Sequence, residues 1–388
     1  MRSNIHFRTI STCVAVLGSL ALLIMFSTSN ATDARILFQQ DRTPKIQLAI
    51  LLDTSGSMSG LINQSRNQLW QVINEFSQAR QNGKAPILEV AVYEYGNSGL
   101  SAQSGYIRQV TGLTSELDQV SEALFSLTTS GGAEYCGMVI QDTVDQLEWS
   151  QSSDDIKAIF IAGNEPFTQG PVRYQHAVQA ALEKGIVVNT IHAGDYETGA
   201  NTGWKHGAQL AGGDYMHIDQ NHVVAHIVAP QDQRLTELNT RLNKTYIPYG
   251  KTGNQRAARQ VQQDERNAEE SVALLANRVA SKASSLYNNE NWDLVDAIDS
   301  GKVDLDKMDT KELPQPMRSM DKQNRREHVE AAAERRRVIQ LEIKTLTESR
   351  GKYVAQKKQE TAEKNVNTVD DALISAVRKQ GERNNFVF

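Results

Sequence analysis

Three oxygen-bearing side chains stand at alternate positions in the stretch LLDTSGSMSG (Leu51 to Gly60): Asp53, Ser55 and Ser57. A hard divalent cation such as Mg2+ takes oxygen ligands near octahedral geometry and gives up its water reluctantly. Hydroxyls are weak ligands, so they serve only where a loop fixes them. Alternate residues of an extended turn project to one side, so Ser55 and Ser57 can face one ion. The Asp53 carboxylate can then orient them or a bound water. Gly56 and Gly60 relax the backbone, and a helix starting at Leu61 favours an anionic partner group at its N-terminus. Such a loop supplies half of a metal site and leaves a position open for a partner's carboxylate. The plain alternative is a capped polar turn without a metal.

The other chemistry-bearing groups do not assemble into a known pattern. His192, His206, His217, His222 and His226 crowd one region, yet only His222 and His226 have helical pair spacing, and the glutamate of zinc proteases is missing between them. Surface or capping roles are expected for them. GSMSG carries Met58 where a nucleophile elbow needs serine. Gly250 to Thr252 (GKT) lacks the leading glycine of a phosphate loop. NNENWD (Asn288 to Asp293) has oxygens without the spacing of an EF-hand, and reads as a helix cap. Cys136 reads as a small buried hydrophobe. Asp195 and Trp204 fall in a loop that could border a ligand face. No nucleophile with a base partner is visible, so the chain is not expected to be an enzyme.

The elements around Asp53 give the motif its meaning. IQLAILLD (Ile46 to Asp53) is a fully apolar strand, and Leu61, Leu69, Val72, Ile73 and Phe76 mark one face of the helix that follows. Further strands are expected from Ile87, from Tyr106 (a short edge strand), over Ile156–Gly163, over Gly185–Gly194 and over Asp214–Asp219, with amphipathic helices between them. Ser115 is placed to cap one of these. Apolar strands alternating with amphipathic helices predict an α/β fold, a doubly wound and mostly parallel sheet covered on both faces. Ligands of such sheets bind beyond the carboxyl ends of strands at a switch point, which is where Asp53, Ser55 and Ser57 fall.

At these residues a family resemblance emerges. LAILLDTSGSMSG resembles the first strand and loop of von Willebrand factor type A domains, whose metal-ion-dependent adhesion motif is Asp-x-Ser-x-Ser. The resemblance spans residues 45–228. It implies Mg2+ (or Mn2+ or Ca2+) at the motif and recognition of a protein ligand through a carboxylate at the metal. It also implies two further loops that complete the site. In the second, LTTSGGAEYCGMVI keeps Gly131 and Gly132 but has Ala133 and Glu134 where threonine is usual. Glu134 is the preferred ligand, with Thr128 or Thr129 as the alternative. In the third, IFIAGNEPF places Gly163 about where an aspartate is expected, so Asn164 or Glu165 stands in through a water. The expected metal set is Asp53, Ser55, Ser57, Glu134 and Glu165.

The ends of the chain complete the expectation. Arg2, Arg8, the apolar run Cys13 to Phe26 and the small residues Ser29 and Ala31 predict a signal peptide over residues 1–31 and an exported, periplasmic or secreted protein. An uncleaved anchor is the alternative. The formal charge is −5, and no basic patch suggests nucleic acid. No small-molecule substrate is evident. Residues 238–255, with Pro248 and two glycines, read as a linker, and residues 256–388 as an α-helical tail. Ala268, Val272, Leu275 and Val279 mark one stripe there. Val329, Ala332, Arg336, Ile339, Ile343, Leu346, Arg350 and Tyr353 follow heptad spacing interrupted by two arginines. That segment is expected to form a helical hairpin with DDALISAVRKQ, and to offer a route to self-association. An accessory role in an enzyme complex, or a structural envelope role carried by the tail, are the competing functions.

Overall fold

The computed structural model describes residues 42–218, 227–360 and 369–388. The expected signal segment lies outside them, as do His222 and His226. Strand β1 (Lys45–Asp53) is apolar and buried on both faces, which only a central strand can be. It lies parallel between β3 (Ile87–Tyr95) and β5 (Ile156–Gly163). Strands β6 (Val187–Ala193) and β7 (Gly212–Ile218) extend the parallel sheet past β5, and β4 (Ile107–Thr114) closes the far edge antiparallel to β3. The order is β4-β3-β1-β5-β6-β7, so the winding reverses at β1. Register puts Asp53 opposite Tyr95, and Leu52 opposite Ala162. Asp53, Tyr95 and Gly163 therefore end their strands at one level, at the switch point. The doubly wound α/β fold expected from the sequence is the observed one.

Helices α1 (Ser59–Phe76) and α2 (Leu117–Ser126) cover one face of the sheet. Helices α3 (Cys136–Gln146) and α4 (Tyr174–Glu183) cover the other, together with α6 (Trp204–Leu210), which follows the short α5 (Tyr196–Asn201). No serine caps α2. Its N-cap is Glu116, whose N–H is held by the Thr114 hydroxyl at 3.1 Å. Among the described residues no helix is long and apolar enough to cross a membrane.

The remaining helices do not hang from the sheet as a tail. They are α7 (Asp232–Asn243), α8 (Gly253–Glu270), α9 (Val272–Lys282), α10 (Leu294–Asp299), α11 (Gln315–Arg318), α12 (Lys322–Glu360) and α13 (Val369–Arg383). Residues 44–388 form one compact unit. Residues 238–243 complete α7 and 253–255 begin α8, so the connection is shorter than the expected linker. The expected continuous stripe from Ala268 to Val279 is broken at Ser271. That residue turns extended and caps α9 through the Leu274 N–H at 2.9 Å, which leaves Ala268 and Val272 exposed.

The hairpin expectation is corrected. Helix α12 packs on α7, α9 and α10, whereas α13 packs on α1, β5 and β7. The heptad stripe is real and faces the body, but its arginines select the neighbour. Arg336 Nη1 pairs with Asp293 at 2.7 Å and Asp296 at 2.6 Å, and Arg350 Nε pairs with Asp232 at 2.6 Å. These carboxylates belong to α7 and the start of α10, where Asp293 is the N-cap. Helix α13 instead offers small apolar residues, Ala376 and Val377, to the core beneath β5 and β7. The chain then ends in β8 (Phe386–Val387), paired with β2 (Arg80–Gln81), and Phe388 packs on Phe76 at 6.2 Å. The helical bundle is thus interposed between β7 and the helix that finishes covering the sheet.

Buried charges fasten that bundle to the α1 face. The Arg278 guanidinium is fully buried over the Trp70 ring at 4.7 Å. It lies 2.8 Å from Asp118 of α2 and 2.6 Å from Asp264 of α8. Burial alone would raise the Asp264 carboxyl, but Lys282 and Arg278 outweigh it and hold it below the usual range. Asn239 and Asn243 complete its hydrogen bonds at 2.9 and 2.7 Å. Removing one member of a buried pair leaves a desolvated charge, at a cost of about 3–5 kcal/mol. Arg278→Leu is expected to lower the unfolding free energy by about that amount in urea titration. Adding Asp118→Asn is expected to recover part of it. A loss under about 1 kcal/mol would mean the pair does not hold the bundle in place.

Candidate metal centre

The loop after β1 is fixed by its backbone before any ligand is considered. The Thr54 N–H donates to the Tyr95 carbonyl at 2.8 Å, and its hydroxyl donates to Glu94 at 3.1 Å. The Ser55 N–H donates to Asp53 Oδ1 at 2.7 Å, an Asx turn that sets the carboxylate's direction. Met58 is fully buried and anchors the far end, its N–H donating to the Ser55 carbonyl at 3.1 Å. Ser55 stays nearly buried and Ser57 is exposed. Asp53 is 0% exposed, a carboxylate at the floor of a crevice.

Two glycines bring the second loop down to it. A Cβ on Gly132 would lie 2.2 Å from the Gly96 carbonyl oxygen, so only glycine allows the two loops to touch. Gly96 has φ +79°, and a Cβ there would lie 2.9 Å from both Asp53 Oδ1 and the Glu134 Cγ. Glu134 is thereby placed beside Asp53, itself only 7% exposed. Thr128 is exposed, and its carbonyl accepts from the Asn97 amide at 2.8 Å. The Ser130 N–H donates to the Thr54 carbonyl at 3.0 Å and ties the loops together.

The third loop explains its missing aspartate. A Cβ on Gly163 would lie 3.1 Å from Asp53 Oδ2 and 2.5 Å from the Tyr95 hydroxyl. That hydroxyl donates to the Ala162 carbonyl at 2.9 Å, so a side chain at 163 would displace it. Asn164, next along, reaches the motif. Its amide Nδ2 donates to Ser57 Oγ at 3.1 Å. The Glu165 side chain is exposed and accepts from Gln169 at 3.3 Å, while its carbonyl holds the Trp204 indole at 2.9 Å. Glu165 thus stands on the rim, with its charge felt by both inner carboxylates.

Two buried oxygens at this point lack a hydrogen-bond partner: Asp53 Oδ2 and Asn164 Oδ1. Burial pushes the Asp53 carboxyl up to about 6, against the lowering effect of Ser55 and of the nearby Asn164 backbone N–H, and with the Glu165 charge adding to the rise. Burial pushes Glu134 up to about 7, helped by the charges of Asp53 and Glu165. A buried carboxylate with a bare oxygen is costly unless a cation meets it. The donor set is hard: carboxylate, hydroxyl and amide oxygens suit Mg2+, Mn2+ or Ca2+. Among the described residues, no three His, Cys, Asp or Glu side chains converge as a metal-holding group, so hydroxyls and the amide are needed to complete a shell here.

The remaining candidates serve the scaffold. His192 is buried, with its ring nitrogens 3.2 Å from the Asn164 carbonyl and 3.1 Å from that of Asp195. Asp195 caps α5 through the Thr198 N–H at 2.8 Å. Trp204 packs on Phe167 at 4.7 Å in the core. His206 bonds the Tyr174 hydroxyl at 2.8 Å, and His217 lies against Tyr196. Cys136 is buried with its sulfur 3.7 Å from the Tyr95 hydroxyl. Sequence reasoning passed over Gly96, Asn97 and Tyr95. The signal was the turn pair Gly-Asn directly after an apolar strand, in YEYGNS (Tyr93 to Ser98).

No protein-family model matches the chain, and no curated protein matches it. Similar solved structures include the VWA domain of SpRpn10, at 14% identity and TM-score 0.35, over 45% of this chain and 88% of that one. An aerotolerance-related membrane protein from Bacteroides fragilis NCTC 9343 matches at 15% identity and TM-score 0.31, over 45% of this chain and 92% of that one. The pilus adhesin SpaC from Lactobacillus rhamnosus GG, in its open conformation, matches at 15% identity and TM-score 0.34, over 46% of this chain and 28% of the adhesin. These are partial overlaps, and the fold assignment rests on the strand order and register given above.

A raised carboxyl stabilises the fold below its unfolded pKa and loses that contribution as pH rises through the folded one. For Asp53 the window runs from its ordinary 3.8 to about 6. In chelator at pH 8, Asp53→Asn is expected to be more stable than wild type by about 2–3 kcal/mol. That gap is expected to close toward pH 4. Thermal melts across pH measure it, and a gap that stays constant with pH would remove the charge at Asp53 as its cause.

Proposed function

We propose that this chain is an exported, non-enzymatic protein-binding module whose recognition face is built around a divalent cation. One observation carries the reading. A fully buried carboxylate, Asp53, keeps a bare oxygen at the sheet's switch point, beside Glu134 and at the head of the loop that carries Ser55 and Ser57. A bound Mg2+, Mn2+ or Ca2+ would supply a positive centre with an open coordination position. Asp53, Ser55, Ser57 and Glu134 would hold it, with Asn164 steadying Ser57 and Glu165 at the rim.

The residues divide the work. Thr54 and Met58 keep the loop in place, so the hydroxyls do not have to be ordered when a ligand arrives. Gly96 and Gly132 admit Glu134. The exposed Ser57 lies on the side from which a partner approaches. The resemblance to type A domains, and neighbours that include an adhesin, agree with a protein partner. The helical bundle, packed on α1, would present this face at a fixed angle.

Calorimetric titration of the protein lacking residues 1–31 with Mg2+, Mn2+ and Ca2+ tests the site. Wild type is expected to bind at least one of the ions, and Asp53→Ala to lose at least tenfold in affinity. Affinity capture from the native envelope tests the role: a partner retained with Mg2+ should be released by chelator and absent with Ser55→Ala. Equal heats for wild type and Asp53→Ala would remove the metal from the reading.

A further inference from the structure

We infer that the group a partner offers to this site is a neutral oxygen, an amide carbonyl or a hydroxyl, beside a basic side chain, and not a carboxylate. The inference rests on reading the site as a divalent-ion site, and it departs from what the family resemblance implies. Its ground is the charge that the three loops place around one point.

Asp53 Oδ1 and the Glu134 Cγ both lie 2.9 Å from the position a Cβ on Gly96 would take, and the Asp53 charge is felt at the Glu134 carboxyl, so the two acidic side chains are neighbours in the crevice. Between them they already balance a divalent ion. Glu165 adds a third negative charge on the rim, directly after the residue that bonds Ser57. The loops that frame the crevice, residues 53–60, 96–105, 128–136 and 163–170, contain no lysine, arginine or histidine. An ion-loaded face therefore carries a net negative charge. A partner carboxylate would enter against that charge, and these four loops offer no cationic side chain to receive it.

The rest of the rim is neutral and rich in hydroxyls. Ser98 and Ser130 face each other at 2.8 Å, the Ser57 hydroxyl is exposed, and the Gln169 amide is engaged with Glu165. Such a rim matches amides and hydroxyls. Glu165, exposed and without a cationic partner among the described residues, is placed to receive a lysine or arginine that flanks the donor. Glu134 is then the residue that sets the preference, because it supplies from within the chain the negative charge a carboxylate ligand would bring.

The test uses the metal and a small carboxylate as probes. The protein lacking residues 1–31 is titrated calorimetrically with Mg2+ in chloride and in acetate at equal ionic strength. For wild type, acetate is expected to leave the ion affinity unchanged within twofold, or to weaken it. Glu134→Thr is expected to bind the ion at least tenfold more weakly, and acetate to recover at least threefold. Glu134→Gln, which keeps the side chain's shape, should behave in the same way and guards against a folding artefact, with circular dichroism as the check. Acetate strengthening wild type as much as the variants would overturn the inference, as would variants with wild-type affinity. Absence of any Mg2+ heat in folded wild type would overturn the metal reading itself, and this inference with it.

Discussion

The Asp53 carboxylate is the constraint around which the proposed binding face is arranged. It ends a central strand of the sheet and is itself shut off from solvent. Burying a charge there requires compensation, and the nearby groups give only part of it: one N–H from Ser55 at 2.7 Å on one oxygen and none in hydrogen-bond geometry on the other. Each irregularity nearby serves that carboxylate. Gly96 has a left-handed backbone, where a Cβ would also lie 2.9 Å from Asp53 Oδ1, and a Cβ on Gly163 would meet the Tyr95 hydroxyl at 2.5 Å and Asp53 Oδ2 at 3.1 Å. An aspartate at 163 would have put a second charge directly against Asp53. The chain carries its second carboxylate on the neighbouring loop instead, at Glu134, where the paired glycines give it room.

A different economy governs the helical bundle. Its core is modest, a few leucines and isoleucines between α7, α9 and α12. Orientation comes from buried arginines, each with its own carboxylate and a carbonyl or amide to finish its donors. Arg278 meets Asp118, Asp264 and the Gln260 carbonyl; Arg336 meets Asp293, Asp296 and the Thr245 carbonyl. Such pairs add little net stability over an apolar alternative, but they penalise every misaligned docking heavily. A helix with heptad spacing could have paired with many surfaces, and its arginines restrict it to one.

The sheet was legible from the sequence because its signals are local. Apolar runs of strand length alternate with amphipathic helices, and the Asp-x-Ser-x-Ser motif sits at a strand's end in one short window. The approach of Glu134 to Asp53 was legible only through Gly131 and Gly132. Gly96 was missed, since its role depends on the register of β3 against β1, a contact between residues 43 positions apart. The tail misled for the same reason. Arg336 and Arg350 look like breaks in an apolar seam until their acidic partners, which lie 40 to 118 residues away, are in view. Periodicity reports that a helix has a buried face. It does not report which surface that face meets.

The two halves of the molecule meet along α1, the helix that begins at the motif. Trp70 donates to Asn267 at 2.7 Å and lies beneath Arg278; Asn74 donates to the Asn277 carbonyl at 2.9 Å; Glu75 pairs with Arg378, and Phe76 packs on Phe388. The second half of the helix, residues 70–76, is thus held by the bundle and by the last residues of the chain. No side chain caps its first turn. A helix held this firmly fixes the height and direction of the loop that starts it. The hydroxyls of Ser55 and Ser57 are weak donors whose usefulness depends on not having to be ordered. By holding α1 the bundle would support the proposed binding face without touching it, limiting the freedom that would otherwise make the motif a poor ligand set.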